Sequence, residues 1–235
     1  EALKTHVTKK DIISIAYRKK QLDTFNRLLN DEAFFEYAKK EKNCSNEALW
    51  QKFFEKNPWI FGYGLSYIYL SSLNDKKIEQ VVQGVQIGQH GKRVDGLLKT
   101  RGAISNLCFV EIKTNTTGLL ANTPYRSGCW APSSELTGAV AQIQGTVSYA
   151  MDSIKRNLNL TDSYGDPTGE ELFNFNPKSF LVVGNLSQFS SDNGINHDKL
   201  RSFENFRSNL IRPEVITFDE LYERARFIVA FSENI

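Results

Sequence analysis

A chain of 235 residues, 40% hydrophobic and 12% aromatic, has the material for one α/β domain with a sizeable core, or one domain plus a helical appendage. Its formal net charge of +2 supplies no global positive field, so any nucleic-acid site must be a local patch. Cys44, Cys108 and Cys129 lack CxxC spacing, which argues against a disulfide framework or a cysteine zinc site and fits a reducing cytoplasm; no apolar run approaches ~20 residues, so no membrane span is expected, and no signal peptide is visible.

In chain order, Thr8 can cap a first helix whose stripe is Ile12, Ile15, Ala16, Leu22, Phe25 and Leu29. A second helix near Asp31–Lys42 carries Phe34, Phe35 and Tyr37. Lys9, Lys10, Arg18, Lys19 and Lys20 make this region basic, either as solvated helix faces or as an arm that touches DNA or a neighbouring subunit. Residues 1–44 thus form an N-terminal helical segment, followed by one domain over 45–235. Ser45 caps the next helix and Pro58 ends it, with Leu49, Trp50, Phe53 and Phe54 as its apolar stripe. Glu47 sits at the edge of that stripe, where it either complements the helix dipole or reaches a metal from the side.

Residues 65–73 and 76–87 read as strands joined by a turn at Asn74-Asp75, and Gly84, Gly88 and Gly91 interrupt the pattern toward residue 92. The next strand, Arg93–Lys99, leads through a connection holding Arg101-Gly102 into a strand ending at Lys113, most economically as an antiparallel hairpin. Alternation puts Cys108, Val110 and Ile112 on one apolar face, and Leu107, Phe109, Glu111 and Lys113 on the other. Folding the hairpin back brings Asp95 near Glu111, so that Asp95, Glu111 and Lys113 converge. Two hard carboxylate oxygens suit Mg²⁺, and a neighbouring lysine can orient a water or offset phosphate charge.

Residues 114–134 read as a long irregular loop, rich in Thr, Asn, Gly and Pro, which leaves the Glu111–Lys113 strand and should overhang its end. In it, Arg126 and Trp130 are candidates to touch a phosphate and a base. Ser133 or Ser134 caps a long helix to about Asn157, with Leu136, Ala139, Val140, Ile143, Val147 and Ile154 as its core stripe. Glu135, Gln142 and Tyr149 recur every seven residues along one border of that stripe. Residues 159–176 read as a polar loop, 179–184 as a short buried strand, 197–210 as a helix, 215–218 as a strand, and a helix starts at Asp219. Arg207, Arg212, Arg224 and Arg226 look scattered and mostly solvent-facing.

Asp95 followed by Glu111-x-Lys113 on the next strand resembles the PD-(D/E)XK pattern of restriction-endonuclease-like nucleases, with Val94 where the strict pattern has proline. Together with the stretch from Glu47 through Asn57-Pro58-Trp59 to Gly62, and the helix over 135–149, it resembles the nuclease domain of the Shedu family of bacterial anti-phage defence proteins, roughly from Ser45 to Phe218. The resemblance implies a restriction-endonuclease-like α/β core with a mixed sheet flanked by helices. It implies an Mg²⁺-dependent endonuclease (Mn²⁺ substituting) acting on double-stranded phage or other foreign DNA in the bacterial cytoplasm. A homo-oligomer, a tetramer, and an upstream regulatory region absent from a chain that begins at Glu1 are further implications.

On that resemblance, Asp95, Glu111 and the Ile112 carbonyl are the metal ligands, Lys113 orients the water, Gln142 helps place it, and Glu47 adds a ligand. The family's Gln-then-Tyr helix carries over to Gln142 and Tyr149 at a spacing longer than the exonuclease-type Gln-x-x-x-Tyr. Arg93, Thr114, Arg126, Trp130 and Tyr149 are the expected DNA contacts. The rival reading is a catalytically degenerate nuclease fold that binds DNA or assembles subunits.

Overall fold

The computed structural model of the protein describes residues 9–61, 70–72, 96–100, 105–154, 157–161 and 166–231. Three helices come first: α1 (Lys9–Asn30), α2 (Glu32–Lys42) and α3 (Asn46–Lys56). Asp31 caps α2 by accepting from the Phe34 amide, and Ser45 caps α3 by accepting from the Ala48 amide, as their residue types favour. After a short 3₁₀ turn at Pro58–Phe61 come strands β1 (Leu70–Ser72), β2 (Gly96–Thr100) and β3 (Ser105–Ile112), then the long helix α4 (Ser134–Ile154). The remainder is β4 (Asn157–Thr161), β5 (Pro167–Val182), the small hairpin β6 (Ser190–Ser191) and β7 (Gly194–Ile195), α5 (His197–Ser208), β8 (Glu214–Ile216) and α6 (Phe218–Phe231).

Six strands among the described residues form one mixed sheet in the order β1-β2-β3-β5-β4, with β8 also on β5. The expected hairpin is present: β2 runs antiparallel to β3, with Gly96 opposite Val110. β3 runs parallel to β5, and β5 parallel to β8, so the carboxyl ends of all three lie at one end of the sheet. Residues 159–176 are not the polar loop that their composition indicates. They hold most of β4 and the first half of β5, because β5 extends well beyond its apolar core and pairs antiparallel with β4 there. The expected strands over 76–87 and most of 65–73, and the Thr8 cap, lie outside the described residues.

The sheet separates two helical layers. On one face Cys108, Val110 and Ile112 of β3 pack with Phe180, Val182 and Ile216 against α1, α2, α3 and α6. Phe25 ties that layer together, with its ring centroid 5.3–5.7 Å from those of Trp50, Phe53, Phe54 and Tyr222. On the other face Leu107 and Phe109 meet Ile143, Ala150 and Ile154 of α4. Next to them Leu136, Ala139 and Val140 of α4 pack with Leu181, Val215 and Phe203 of α5. The alternation read for β3 is therefore the division between the two layers. No helix among the described residues is long and apolar enough to cross a membrane.

Arginine placement departs from the sequence expectation. Arg207 is largely covered and sits between Glu204 and Glu220, with contacts of 2.6 Å to each carboxylate. Arg224, also mostly covered, reaches Glu214 at 3.2 Å. The spacing of α5 and α6 across β8 brings acids to both, which scattered positions in the sequence do not reveal.

Candidate functional site

The apolar alternation of β3 ends in charge. Glu111 follows Leu107 and Phe109 on the face toward α4, yet it is only 2% exposed. A carboxylate so deeply covered is costly unless opposite charge or donors compensate it. The Lys113 ammonium lies 2.9 Å from Glu111 Oε1, because residues two apart on a strand share a face. The same ammonium donates to Gln142 Oε1 of α4 at 3.3 Å. Three of the expected residues, from β3, the residues just beyond it and α4, thus form one contiguous group. The strand stays paired past its last regular residue, with the Lys113 amide donating to the Val182 carbonyl at 2.9 Å.

Gln142 is placed by the helix rather than by its own contacts. Ser133 Oγ accepts from the Leu136 amide at 2.9 Å and starts α4. Ala139 and Ile143, either side of Gln142 in the stripe, are each 2% exposed and fix the helix face against the sheet. Tyr149, two turns on, is exposed.

Directly after Lys113 the chain turns tightly. Thr114 Oγ1 shares hydrogen bonds with Thr116 Oγ1 at 3.0 Å and Thr117 Oγ1 at 2.9 Å. The Thr114 carbonyl accepts from the Gly184 amide at 2.9 Å, and the Gly184 carbonyl accepts from the Phe218 amide at 3.0 Å, so the ends of β3, β5 and β8 are stitched together. Gly184 adopts φ +62°, and a Cβ there would stand 2.6 Å from Leu119 Cδ2 and 2.7 Å from the Thr117 carbonyl oxygen. Only glycine allows this close approach. From the other layer, Trp50 Nε1 donates to Asn115 Oδ1 at 3.2 Å and fastens the turn to α3.

Glu47 lies in the first turn of α3, exposed, in the layer opposite the face that Glu111 occupies. The Ile112 side chain is fully buried in the core under α3 and α6, and its proposed role concerns its carbonyl alone. Asp95 and Arg93 lie outside the described residues. Thr114 is in the turn just described. Arg126 and Trp130 are in the loop, where the Trp130 amide donates to Ser202 Oγ of α5 at 3.1 Å. Among the described residues no three His, Cys, Asp or Glu side chains gather as a metal cluster, and Glu111 is the carboxylate of this group.

Gly184 and Asn115 are the positioning residues that sequence reasoning did not single out. A glycine directly after a Val-Val run is the one available signal for the first. The second carries none, since an asparagine in a polar turn is unremarked without its tryptophan partner. The stretch 47–61 is a structural knot: Asn57, fully buried, donates to the Phe53 carbonyl at 2.9 Å and accepts from Trp59 Nε1 at 3.1 Å.

The family model described as Shedu protein SduA, C-terminal, matches residues 44–222. The chain belongs to the Shedu SduA family. The match runs from just before α3 into α6 and includes Glu111, Lys113 and Gln142. The Shedu protein SduA of Bacillus cereus (strain B4264) is 29% identical over 194 residues, covering 81% of this chain and 47% of that protein. The chain therefore spans about half the length of this Shedu relative.

Proposed function

We propose that this Shedu domain hydrolyses phosphodiester bonds of double-stranded DNA in a divalent-metal-dependent reaction, as an endonuclease of bacterial anti-phage defence in the cytoplasm. The observation that carries the reading is the Glu111 carboxylate, 2% exposed, held 2.9 Å from Lys113 at the carboxyl end of a central strand with Gln142 alongside. Carboxyl ends of strands in open α/β sheets are where ligands bind.

The donor set fits a hard cation. Carboxylate and carbonyl oxygens suit Mg²⁺ or Mn²⁺, and the thiol of the same strand, Cys108, points into the opposite layer. Glu111 would hold the ion with Asp95 and the Ile112 carbonyl; Glu47, in the other layer, would add a ligand from round the end of the sheet, where Trp50 of the same helix reaches the turn after Lys113. When bound, the ion supplies an acidified water and neutralises charge on the phosphate.

The Lys113 ammonium lies between Glu111 and Gln142, ion-paired with the first and donating to the second. It holds the attacking water in line and offsets the charge that develops on the phosphoryl oxygens. With Gln142 Oε1 turned toward Lys113, the amide nitrogen is left to donate to that water or to a phosphate oxygen. Arg93, Thr114, Arg126, Trp130 and Tyr149 contact the duplex, and the protein acts as a homo-tetramer controlled by a separate regulatory region.

The test is cleavage of a linear duplex across an Mg²⁺ titration, with Glu111→Gln as the variant. Cleavage that needs the metal and disappears in Glu111→Gln is expected. Duplex binding without cleavage in the parent protein would assign the fold to a binding or assembly module instead. Sedimentation of the purified protein as a monomer would overturn the tetramer.

A further inference from the structure

We propose that the tip of the 114–133 loop and the first turns of α5 form a ridge that grips the phosphate backbone of duplex DNA, with Lys199 and Arg126 as its cations and Trp130 and Tyr125 as the rings beneath them. The proposal rests on the nuclease reading above and adds α5, whose sequence gives no sign of a DNA contact. Not one of the residues 114–134 is acidic, in a chain with 27 acidic residues. The loop is built rather than slack. Arg126 and Cys129 form a β-bridge at its tip, Leu120 and Pro132 form another at its base, and Ala121 donates to the Ala131 carbonyl at 2.9 Å.

The tip is fastened to α5 at two points. The Trp130 amide bonds Ser202 Oγ, and Arg201 donates to the Gly128 carbonyl at 3.0 Å. Docking sets the Lys199 ammonium 4.5 Å from the centre of the Trp130 ring. Arg126 lies over Tyr125 at 5.6 Å, and Tyr125 is 72% exposed. Asp198, the acid of this turn, is already paired with Arg201 at 2.8 Å. Lys199 and Arg126 have no carboxylate partner among the described residues, whereas Arg207, Arg224 and Arg226 all do.

A cation seated on a ring keeps its N–H donors for a phosphate and loses less side-chain freedom on binding than one in open solvent. The ridge also lies on the correct side of the molecule. Leu119 and Leu120 of the loop and Phe203 of α5 pack with α4, in the layer toward which Glu111 and Lys113 point. The loop leaves the strand at Lys113 and enters α4 at Ser134, eight residues or about 12 Å along the helix from Gln142. A duplex in the site would pass beside it. Contacts of this kind read no sequence and set affinity through counterion release.

The experiment measures duplex affinity by fluorescence anisotropy across a salt series, in the whole chain carrying Glu111→Gln. Lys199→Gln and Arg126→Gln should each weaken binding about three- to tenfold and reduce the slope of log affinity against log salt by about 1. Trp130→Leu should lose at least as much as Lys199→Gln, and the two combined should lose less than the sum, because the ring that meets the duplex also seats the lysine. Arg226→Gln, an exposed charge on α6 in the opposite layer, should change neither quantity. Unchanged slopes in both Lys199→Gln and Arg126→Gln would overturn the ridge, as would an equal loss in Arg226→Gln. Binding without cleavage by the parent protein would overturn the nuclease reading, and persistent cleavage by Glu111→Gln would overturn the role of Glu111; in either case the affinities would still judge the ridge.

Discussion

Replacing Lys113 by alanine removes the ammonium 2.9 Å from a carboxylate whose side chain is only 3% exposed. With charge centres about 4 Å apart, an effective dielectric constant of 20 gives an attraction of about 4 kcal/mol. Desolvation already offsets part of this in the native protein, and truncating one partner of a buried pair costs about 3–5 kcal/mol when the other is left uncompensated. Lys113 keeps 16% side-chain exposure, so the low end applies and Lys113→Ala should cost about 3 kcal/mol. Glu111→Gln should cost less, about 1–2 kcal/mol, because the ammonium that remains can reach water and still bonds Gln142. The double variant should cost about 2 kcal/mol rather than the sum, since the charge that each single variant strands is gone. At roughly 3 °C per kcal/mol for a chain of this size, Lys113→Ala lowers Tm by about 9 °C. Urea unfolding of all four proteins in a metal chelator, followed by circular dichroism, closes the cycle. A coupling below about 0.5 kcal/mol would refute the argument. So would Glu111→Gln proving the more costly of the two single variants.

Gln142→Ala should slow cleavage about 10- to 100-fold, as loss of an outer-shell partner does, with an unchanged urea midpoint; a normal rate would make Gln142 structural. Gly184→Ala should cost about 2–4 kcal/mol, combining left-handed backbone strain with a Cβ forced against the Thr117 carbonyl and Leu119, and a thermal melt within 2 °C of the parent would contradict the close approach. Burial pushes the Cys108 thiol up to about 12, with Lys178 lowering it in part and Glu214 raising it. At pH 8 an alkylating reagent should therefore label exposed Cys129 first and Cys108 only after denaturation, as mass spectrometry of timed samples would show. Burial alone would raise the Glu220 carboxyl, but hydrogen bonds from Arg207 and Thr217 and the Arg207 charge bring it below its ordinary value. Its stabilising contribution is present above the unfolded value of about 4.3 and is lost as pH falls through the lower folded value, so the Tm gap between the parent and Glu220→Gln should close below about pH 4.

What was legible in the sequence was periodic. The alternation from Leu107 to Lys113 assigned both faces of β3 correctly, because a central strand has no freedom to roll without exposing one apolar face. The cap at Ser45 and the start and stripe of α4 were readable for the same reason: each is a local pattern with a local partner. β4 and the start of β5 were not legible. Polar residues, glycines and a proline mask strands that exist because they pair with each other and, for β5, with β3. The Arg207 knot was hidden too, since its acids come from its own helix and from α6 across β8. At the site, Glu111 and Lys113 were one strand motif and Gln142 one position on a helix border. Their contact is a tertiary fact that spacing along the chain cannot supply.

The placement of the group comes from the sheet's mixed character. β2 and β3 run antiparallel, so β2 ends and β3 begins at the end of the sheet away from Glu111. β3, β5 and β8 run parallel, so all three leave the sheet at the same end, and β3 and β5 reach the next parallel strand through α4 and α5 while β8 runs into α6. Three loop starts therefore crowd together just past Ile112, Val182 and Ile216. Their backbone groups no longer have strand partners and pair across the gap instead, through Thr114, Gly184 and Phe218. This leaves a rigid rim of turns around the last inward-facing position of the central strand. An apolar residue there would simply extend the core toward α4. A glutamate is compensated there by the lysine at the next inward position, and the helix entering from the loop presents an amide rather than another leucine at Gln142. The polar group is thus the point where the core stops, and the fold holds its three side chains in place with the packing that makes the rest of that layer dry.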